Sequence, residues 1–487
     1  MITSRRFADG ADALRVRARP SVVALTLAKH APISAILYGP PAIWAGVTGE
    51  WALMTALTVP AVLGLLVFAL VLRHPLPGDL RQIEAMVSVA LVFLLGALGA
   101  APAFATLGLP AIDAAFEAMS GITTTGLSVA AAPDNWPFAA HGLRAWLQWV
   151  GGLVMATAVL ALLLPAGVPT RRLGQAGINE GDRIASTRTK ARQLLGVYLG
   201  LTVLMTGAAL LVIPDWREAL VLTLSGLSTG GFAPRSDSLA SYTALAQTVI
   251  MASALLGAVS LLSFVLILQG KWQSAWHIGS LRRVGLGVAV LGVAAAALTL
   301  LDGATERSDS YGVFLDLVSA LTTAGYSTGA MPTTGALLML FFVAMLMGGD
   351  TGSTAGGFKL ARLGLLLRAA RHALRAPALP KNAVAPLRQD GEKVGEKLII
   401  SVLALVLIYA TAMILLCIHF GLHGYPFTES VFETISALST VGLSVGIVGP
   451  DLPADLKLSL TFAMWLGRLE FIAVLVLLAP RTWLKGA

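Results

Sequence analysis

The chain has 487 residues, 56% of them hydrophobic and only 12% charged, with a formal net charge of +8. Soluble domains carry about 25% charged residues, so charge is depleted roughly twofold, and apolar runs of about 20 residues, each able to cross a ~30 Å hydrocarbon core, recur from end to end. This excludes a soluble enzyme, a nucleic-acid reader and a disulfide scaffold; the single cysteine, Cys417, lies inside an apolar run at 398–420.

The amino terminus is basic, with Arg5, Arg6, Arg15, Arg17 and Arg19 ahead of the first apolar run, and it lacks the cleavage site of a secretory signal. Candidate spans follow at about 22–46, 51–72, 83–104, 140–165, 193–214, 242–268, 284–301, 335–368, 397–420 and 457–480. Basic residues gather in alternate loops, at 73–81, 171–192, 271–283, 359–397 and 481–485. The opposite loops hold Asp134, Asp215, Asp237, Asp302, Glu306, Asp309, Asp451 and Asp455. The positive-inside rule makes the first set cytoplasmic, with both termini inside. The net positive charge therefore reads as topology and attraction to anionic lipids, not as a nucleic-acid surface. Trp51, Trp136, Trp216, Trp272 and Trp483, near span ends, suit the interfacial belt.

Four segments between spans superimpose without gaps. They are Ser120-Gly-Ile-Thr-Thr-Thr-Gly126-Leu-Ser128, Ser225-Gly-Leu-Ser-Thr-Gly-Gly231-Phe-Ala233, Ser319-Ala-Leu-Thr-Thr-Ala-Gly325-Tyr-Ser327 and Ser436-Ala-Leu-Ser-Thr-Val-Gly442-Leu-Ser444. Successive glycines lie 105, 94 and 117 residues apart. A short apolar stretch precedes each copy, at 111–119, 216–224, 311–318 and 426–435, which fits a re-entrant half-helix. Non-helical backbone at membrane depth survives only when buried in protein or lining a water-filled path. Glycine lets adjacent carbonyls turn inward, four such loops can replace a cation's hydration shell, and the half-helix carboxyl ends favour positive charge. The alternative is four glycine turns kept for packing, yet ordinary helix ends need not share a nine-residue pattern. Glu117, Asp316 and Glu433 stand three positions before the leading serine, with Leu222 in the second copy. These carboxylates either hold the loops and attract cations or satisfy buried backbone donors.

A span, half-helix, glycine loop and span repeated four times resembles the Trk/Ktr/HKT superfamily of potassium transporters. Two further stretches are most similar to its bacterial TrkH branch: Gly348-Gly-Asp-Thr-Gly-Ser-Thr-Ala-Gly-Gly-Phe-Lys359 and Trp465-Leu-Gly-Arg-Leu-Glu470. The resemblance implies an all-α polytopic membrane protein, with four pseudo-symmetric repeats around one pore plus an amino-terminal two-helix hairpin. The expected division is a basic terminus 1–21, hairpin 22–78, and pore repeats 79–180, 181–275, 276–385 and 386–487, the third carrying an intramembrane gating loop at 348–357.

The implied function is potassium uptake across a bacterial inner membrane, as a channel or symporter and not as an enzyme. K+ is the transported ion, no organic cofactor is expected, and rubidium should pass as well. The resemblance places the selectivity filter at Thr123, Thr124, Thr125 and Gly126; at Ser228, Thr229, Gly230 and Gly231; at Thr322, Thr323, Ala324 and Gly325; and at Ser439, Thr440, Val441 and Gly442. Glycine in all four loops goes with potassium selectivity in that family. Gating is assigned to Gly348, Gly349, Asp350, Gly352, Gly356, Gly357 and Arg468. A TrkA-like cytosolic nucleotide-binding subunit is the expected partner, docking on the basic loops, together with a homodimer. The alternatives are a sodium-permeable or sodium-coupled Ktr-type porter, a potassium-binding subunit of an ATP-driven pump, and a scaffold with a vestigial pore.

Several residues carry expectations of their own. Gly352 and Gly357 have Walker spacing, but Phe358 follows and no strand precedes, so a phosphate loop is disfavoured. Arg468 lies in an apolar span, where charge faces a cavity or a partner. By resemblance it is a pore-facing barrier, against the alternative of a structural ion pair between helices. Asp350 departs from the family's small neutral residues and is expected to pair with Arg468 when the pore is closed. His419 and His423 have chelating spacing, but no neighbouring acid or cysteine in the sequence completes a site; with His277 they read as interfacial or packing residues.

Overall fold

The computed structural model describes residues 17–77, 80–158, 183–302, 310–378, 387–389 and 392–484. Arg5, Arg6 and Arg15, most of the basic loop 171–192, part of 359–397, Glu306, Asp309, Lys485 and the expected division points near 78, 180 and 385 lie outside them. The regular elements among the described residues are helices apart from one antiparallel pair of two-residue strands, Arg388–Gln389 with Glu392–Lys393.

Three helices come first: α1 (Pro20–His30), α2 (Ile33–Thr48) and α3 (Trp51–Leu70). The α1–α2 break falls at Pro32, which lacks the amide a continuous helix needs, and the pair is long and apolar enough for one span over Pro20–Thr48. Four units of helix, short helix, loop and helix follow. The first is α4 (Gln82–Ala105), α5 (Ala111–Ile122) and α6 (Phe138–Ala158). The second is α7 (Arg183–Leu210), α8 (Trp216–Leu227), α9 (Ala244–Ala258) and α10 (Leu261–Leu268), followed by a connecting helix, α11 (Trp272–Ile278). The third is α12 (Ser280–Asp302), α13 (Ser310–Thr322), α14 (Gly335–Met347) and α15 (Leu360–Arg375). The fourth is α16 (Glu396–Leu422), α17 (Phe427–Leu438), α18 (Ala454–Arg468) and α19 (Ile472–Leu478), with α20 (Pro480–Trp483) at the end of the described chain.

The short helices α5, α8, α13 and α17 run 12 or 13 residues, about 18–20 Å, too short for a ~30 Å core. Their starts are set locally: Pro110 and Pro426 occupy the N-cap positions of α5 and α17, and the Asp215 carboxylate accepts the Arg217 amide at the start of α8. Flanking helices expose apolar side chains, such as Val59, Leu63, Leu66 and Leu70 on α3, as lipid contact requires.

Among the described residues, six helices are long and apolar enough to span, or up to eight if each bent pair is one span. Two expected spans are corrected. The 242–268 run bends by 89° between α9 and α10, and the 457–480 run by 116° between α18 and α19. At the first break the helix carbonyls are claimed from outside: Gly257 O accepts Thr354 N at 3.1 Å and Ala258 O accepts Asp350 N at 3.0 Å. Leu261 N in turn donates to Gly352 O. The loop 348–359, about 90 residues away in sequence, thus replaces the hydrogen bonds that would continue the helix. At the second break Glu470 and Phe471 take positive φ of 53° and 65°, and Phe471 N donates back to Leu466 O. The 335–368 run is likewise divided, into α14 and α15 flanking the expected non-helical loop.

Candidate functional site

The four short helices stop in one way. Thr124, Thr229, Thr323 and Thr440 all adopt left-handed backbone, with φ between 48° and 55°. Each donates its amide to the carbonyl three residues back, and the next residue donates to the leading serine of the motif: Thr125 to Ser120, Gly230 to Ser225, Ala324 to Ser319 and Val441 to Ser436, at 2.8–2.9 Å. This is the Schellman pattern of helix termination, with threonine where glycine is usual. A β-branched residue there costs of order 1–3 kcal/mol, strain that persists only where surrounding structure enforces it.

The motif glycines serve a different purpose: they carry the approach of one loop to the next. A methyl group built on Gly126 would sit 2.1 Å from Gly230 O; on Gly231, 2.1 Å from Ala324 O; on Gly325, 2.2 Å from Val441 O; on Gly442, 2.1 Å from Thr125 O. Each contact is with the residue just before the next loop's glycine, and the fourth returns to the first. The four loops therefore form a closed ring. Thr123–Thr125, Ser228–Thr229, Thr322–Ala324 and Ser439–Val441 are fully buried in it. The hydroxyls of Thr123, Ser228 and Thr322 bond back to their own helices, and that of Ser439 meets Tyr409. Among the described residues, those of Thr124 and Thr440 are buried without a hydrogen-bond partner.

The acidic residues beside the motif hold its exit limb. Glu117 Oε1 accepts from Val129 N at 2.8 Å and Ser128 Oγ at 2.6 Å. Glu433 Oε1 accepts from Val445 N at 2.9 Å and Ser444 Oγ at 2.6 Å, and Asp316 Oδ1 accepts from Thr328 N at 2.7 Å. In the second loop, where Leu222 replaces the acid, Gln148 from α6 substitutes: its Nε2 donates to Gly230 O at 2.6 Å and its Oε1 accepts from Phe232 N at 3.3 Å. Arg144, also on α6, is buried against the Glu117 carboxylate at 3.2 Å, donates to Ser128 Oγ and stacks over the Phe232 ring at 3.8 Å. Arg144→Met should therefore lower stability by about 3–5 kcal/mol, because it leaves Glu117 buried and unpaired. Thermal unfolding in detergent reads this, and Glu117→Gln in the same chain should restore part of the loss.

The loop 348–359 packs against this ring. Gly356 N donates to Thr323 Oγ1 at 2.7 Å, Gly357 N to Ser439 O at 2.9 Å, and Thr229 Oγ1 lies 3.4 Å from Thr354 Oγ1. Gly348 and Gly357 face each other so closely that a methyl on Gly348 would sit 2.7 Å from Gly357 Cα, and one on Gly356 would sit 2.1 Å from Ser439 O. Gly349 abuts Ala258 O, and Gly352 has φ +78°. Arg468, at the carboxyl end of α18 where cations are favoured, donates to Thr354 O at 2.8 Å and to Gly151 O at 3.5 Å. It thus links the loop to α6.

The expected Asp350–Arg468 pair is corrected. Asp350 instead forms a two-point ion pair with Arg283 of α12, at 2.8 and 3.2 Å, and lies 1% exposed. Arg468 binds carbonyls, and its near neighbour Glu470 pairs with Arg362 of α15. No spacing signal points to Arg283, Gln148 or Arg144, whose partners Asp350, Gly230 and Glu117 lie 67, 82 and 27 residues away. Lys359, which donates to Ala355 O, is a further buried cation of the loop. The reading of His419 and His423 as lacking an acid is also corrected, since Asp455 lies against both.

Re-entrant short helices, buried loops closed into a ring and flanking apolar helices define a multi-pass membrane protein with a four-loop centre. The TrkH family, described as cation transport protein, matches residues 84–271 and 308–484, and the chain belongs to that family. It is 30% identical to the Trk system potassium uptake protein TrkH of Halomonas elongata over 460 residues, 90% of this chain and 93% of that protein. It is 27% identical to an uncharacterized cation transporter of Methanocaldococcus jannaschii, over 85% and 86% of the two chains. The crystal structure of the potassium transporter TrkH from Vibrio parahaemolyticus shares the fold, with a TM-score of 0.82 at 22% identity, covering 95% of this chain and 99% of that one.

Proposed function

We propose that this chain takes up potassium through the four-loop ring, with the loop 348–357 and Arg468 as its gate. The observation that carries the reading is the cyclic contact of Gly126, Gly231, Gly325 and Gly442 with their neighbours' carbonyls. It is supported by relatives named as potassium uptake proteins. On this reading the filter is formed by 123–126, 228–231, 322–325 and 439–442, and the unpartnered Thr124 and Thr440 hydroxyls supplement backbone oxygens around the ion. Thr229 and Thr323 are engaged by the loop, so the arrangement is a closed one.

The wider assignment follows the charge pattern and the family resemblance. The ring's entrance faces outward, both termini are cytoplasmic, the membrane is a bacterial inner membrane, and the chain acts as a homodimer with the four-repeat division set out above. A TrkA-like nucleotide-binding subunit docks on the basic cytoplasmic face, where Arg368, Arg371, His372, Arg375 and Arg388 border a recess of about 270 Å³.

The test is rubidium flux into proteoliposomes holding the purified chain, with potassium and sodium as competitors and with the nucleotide-loaded partner added. Potassium should compete strongly, sodium weakly, and the partner should raise flux. Equal competition by sodium would replace this reading with the sodium-permeable one. No flux even with the partner would favour the pump subunit or the scaffold.

A further inference from the structure

His419 and His423 stand one turn apart at the carboxyl end of α16, and the sequence around them offers no third ligand. The fold supplies one from another helix. Asp455, in the first turn of α18, places Oδ2 3.0 Å from His419 Nε2 and 2.7 Å from His423 Nε2. All three ligand atoms lie within 4.8 Å of one another. Ser459, one turn further along α18, has its Oγ 3.0 Å from His419 Nδ1.

We infer that His419, His423 and Asp455 form a binding site for a divalent transition-metal ion of the zinc type, on the face where the short helices begin. Two imidazole nitrogens and one carboxylate oxygen suit Zn2+, Co2+ or Ni2+, whereas Mg2+, Ca2+ and alkali ions take oxygen ligands. Three protein ligands leave a position for water, and side-chain exposures of 27%, 30% and 55% open the site to solvent. A bound zinc ion holds its ligand atoms about 3.3 Å apart, so the Asp455 oxygen withdraws by a few tenths of an ångström from each ring while the two imidazoles, within 4.8 Å of each other, settle to that spacing. With Nδ1–H of His419 donating to the Ser459 hydroxyl, Nε2 presents its lone pair to the metal, the usual outer-shell device for orienting a ligating histidine.

None of the three residues belongs to the ring or to the loop beneath it, so the site is separate from the ion path. Its consequence is mechanical: the metal staples α16 to α18, the helix whose opposite end carries Arg468.

The experiment is a Zn2+ titration by calorimetry of the full chain, without a polyhistidine tag, in lipid nanodiscs. One ion per chain is expected. His419→Gln with His423→Gln should abolish this binding, and Asp455→Asn should weaken it. Ser459→Ala should keep one ion per chain but weaken it by about tenfold, an effect that scattered surface histidines would not give. Rubidium flux of each variant without zinc should match wild type, which establishes folding. The inference is overturned if wild type takes up no zinc, if the double histidine variant binds it as wild type does, or if Mg2+ displaces it equally well.

Discussion

Gly325→Ala is expected to abolish rubidium flux, whereas Gly200→Ala, in the middle of α7, should leave it unchanged within about twofold. At Gly325 the backbone has φ +73°, and the new methyl would lie 2.2 Å from Val441 O and 3.1 Å from Gly442 Cα. Those obstacles are main chain and cannot swing aside as a flexible side chain would. The left-handed conformation adds about 1–2 kcal/mol for alanine. Loop three must therefore move away from loop four. Because Gly231 is already seated on Ala324 O, that movement also disturbs loop two. Nothing lies within 4 Å of a methyl on Gly200, so it reports on handling and expression alone. Flux measured beside membrane-inserted protein decides the matter; wild-type flux in Gly325→Ala would place conduction elsewhere.

Arg468→Gln is expected to raise the resting rubidium leak of the purified chain at least about tenfold. A hydrogen bond from a charged donor contributes about 1.5–3 kcal/mol, and a bond made only in the closed arrangement shifts the closed-to-open ratio by that amount when removed. Arg468 binds Thr354 O in the loop, while Arg283 holds Asp350 at the loop's other end. Asp350→Asn and Arg283→Gln should each raise the leak, and the double variant should be no leakier than the worse single one. The Asp350 and Arg468 changes should combine nearly additively, because these residues share no direct contact of charges. Leak unchanged in Arg468→Gln would remove this arginine from the proposed gate.

The sequence made the repeated unit legible because termination of a short helix is local. The leading serine, the threonine and the glycine sit at fixed offsets, and those offsets are the hydrogen-bond geometry of the helix end. The left-handed threonines were not legible, since the residue type argues against that conformation and only the packed ring enforces it. The α9–α10 bend was hidden for the same reason: no proline marks it, and the groups that claim its carbonyls come from 348–359. The partners of Asp350 and of His419 escaped because long-range charge pairing leaves no spacing signal. An acid three residues before the motif was visible in three of the four copies, yet its use on backbone amides depended on the path of the exit limb.

The closure of the ring also bears on how the protein is made. Loop four meets loop one across more than 300 residues, and Lys457 of α18 binds Asp113 of α5 across 344. These contacts form only after the fourth unit has left the ribosome, and such non-local contacts form slowly because the loop-closure entropy comes before the contact energy. Until then three loops stand with an open side, Gly325 facing no carbonyl and Thr125 O facing no glycine. Closure of the ring is then the last step in building the chain, and a nascent chain halted short of its final hundred residues is an inserted but unsealed membrane protein.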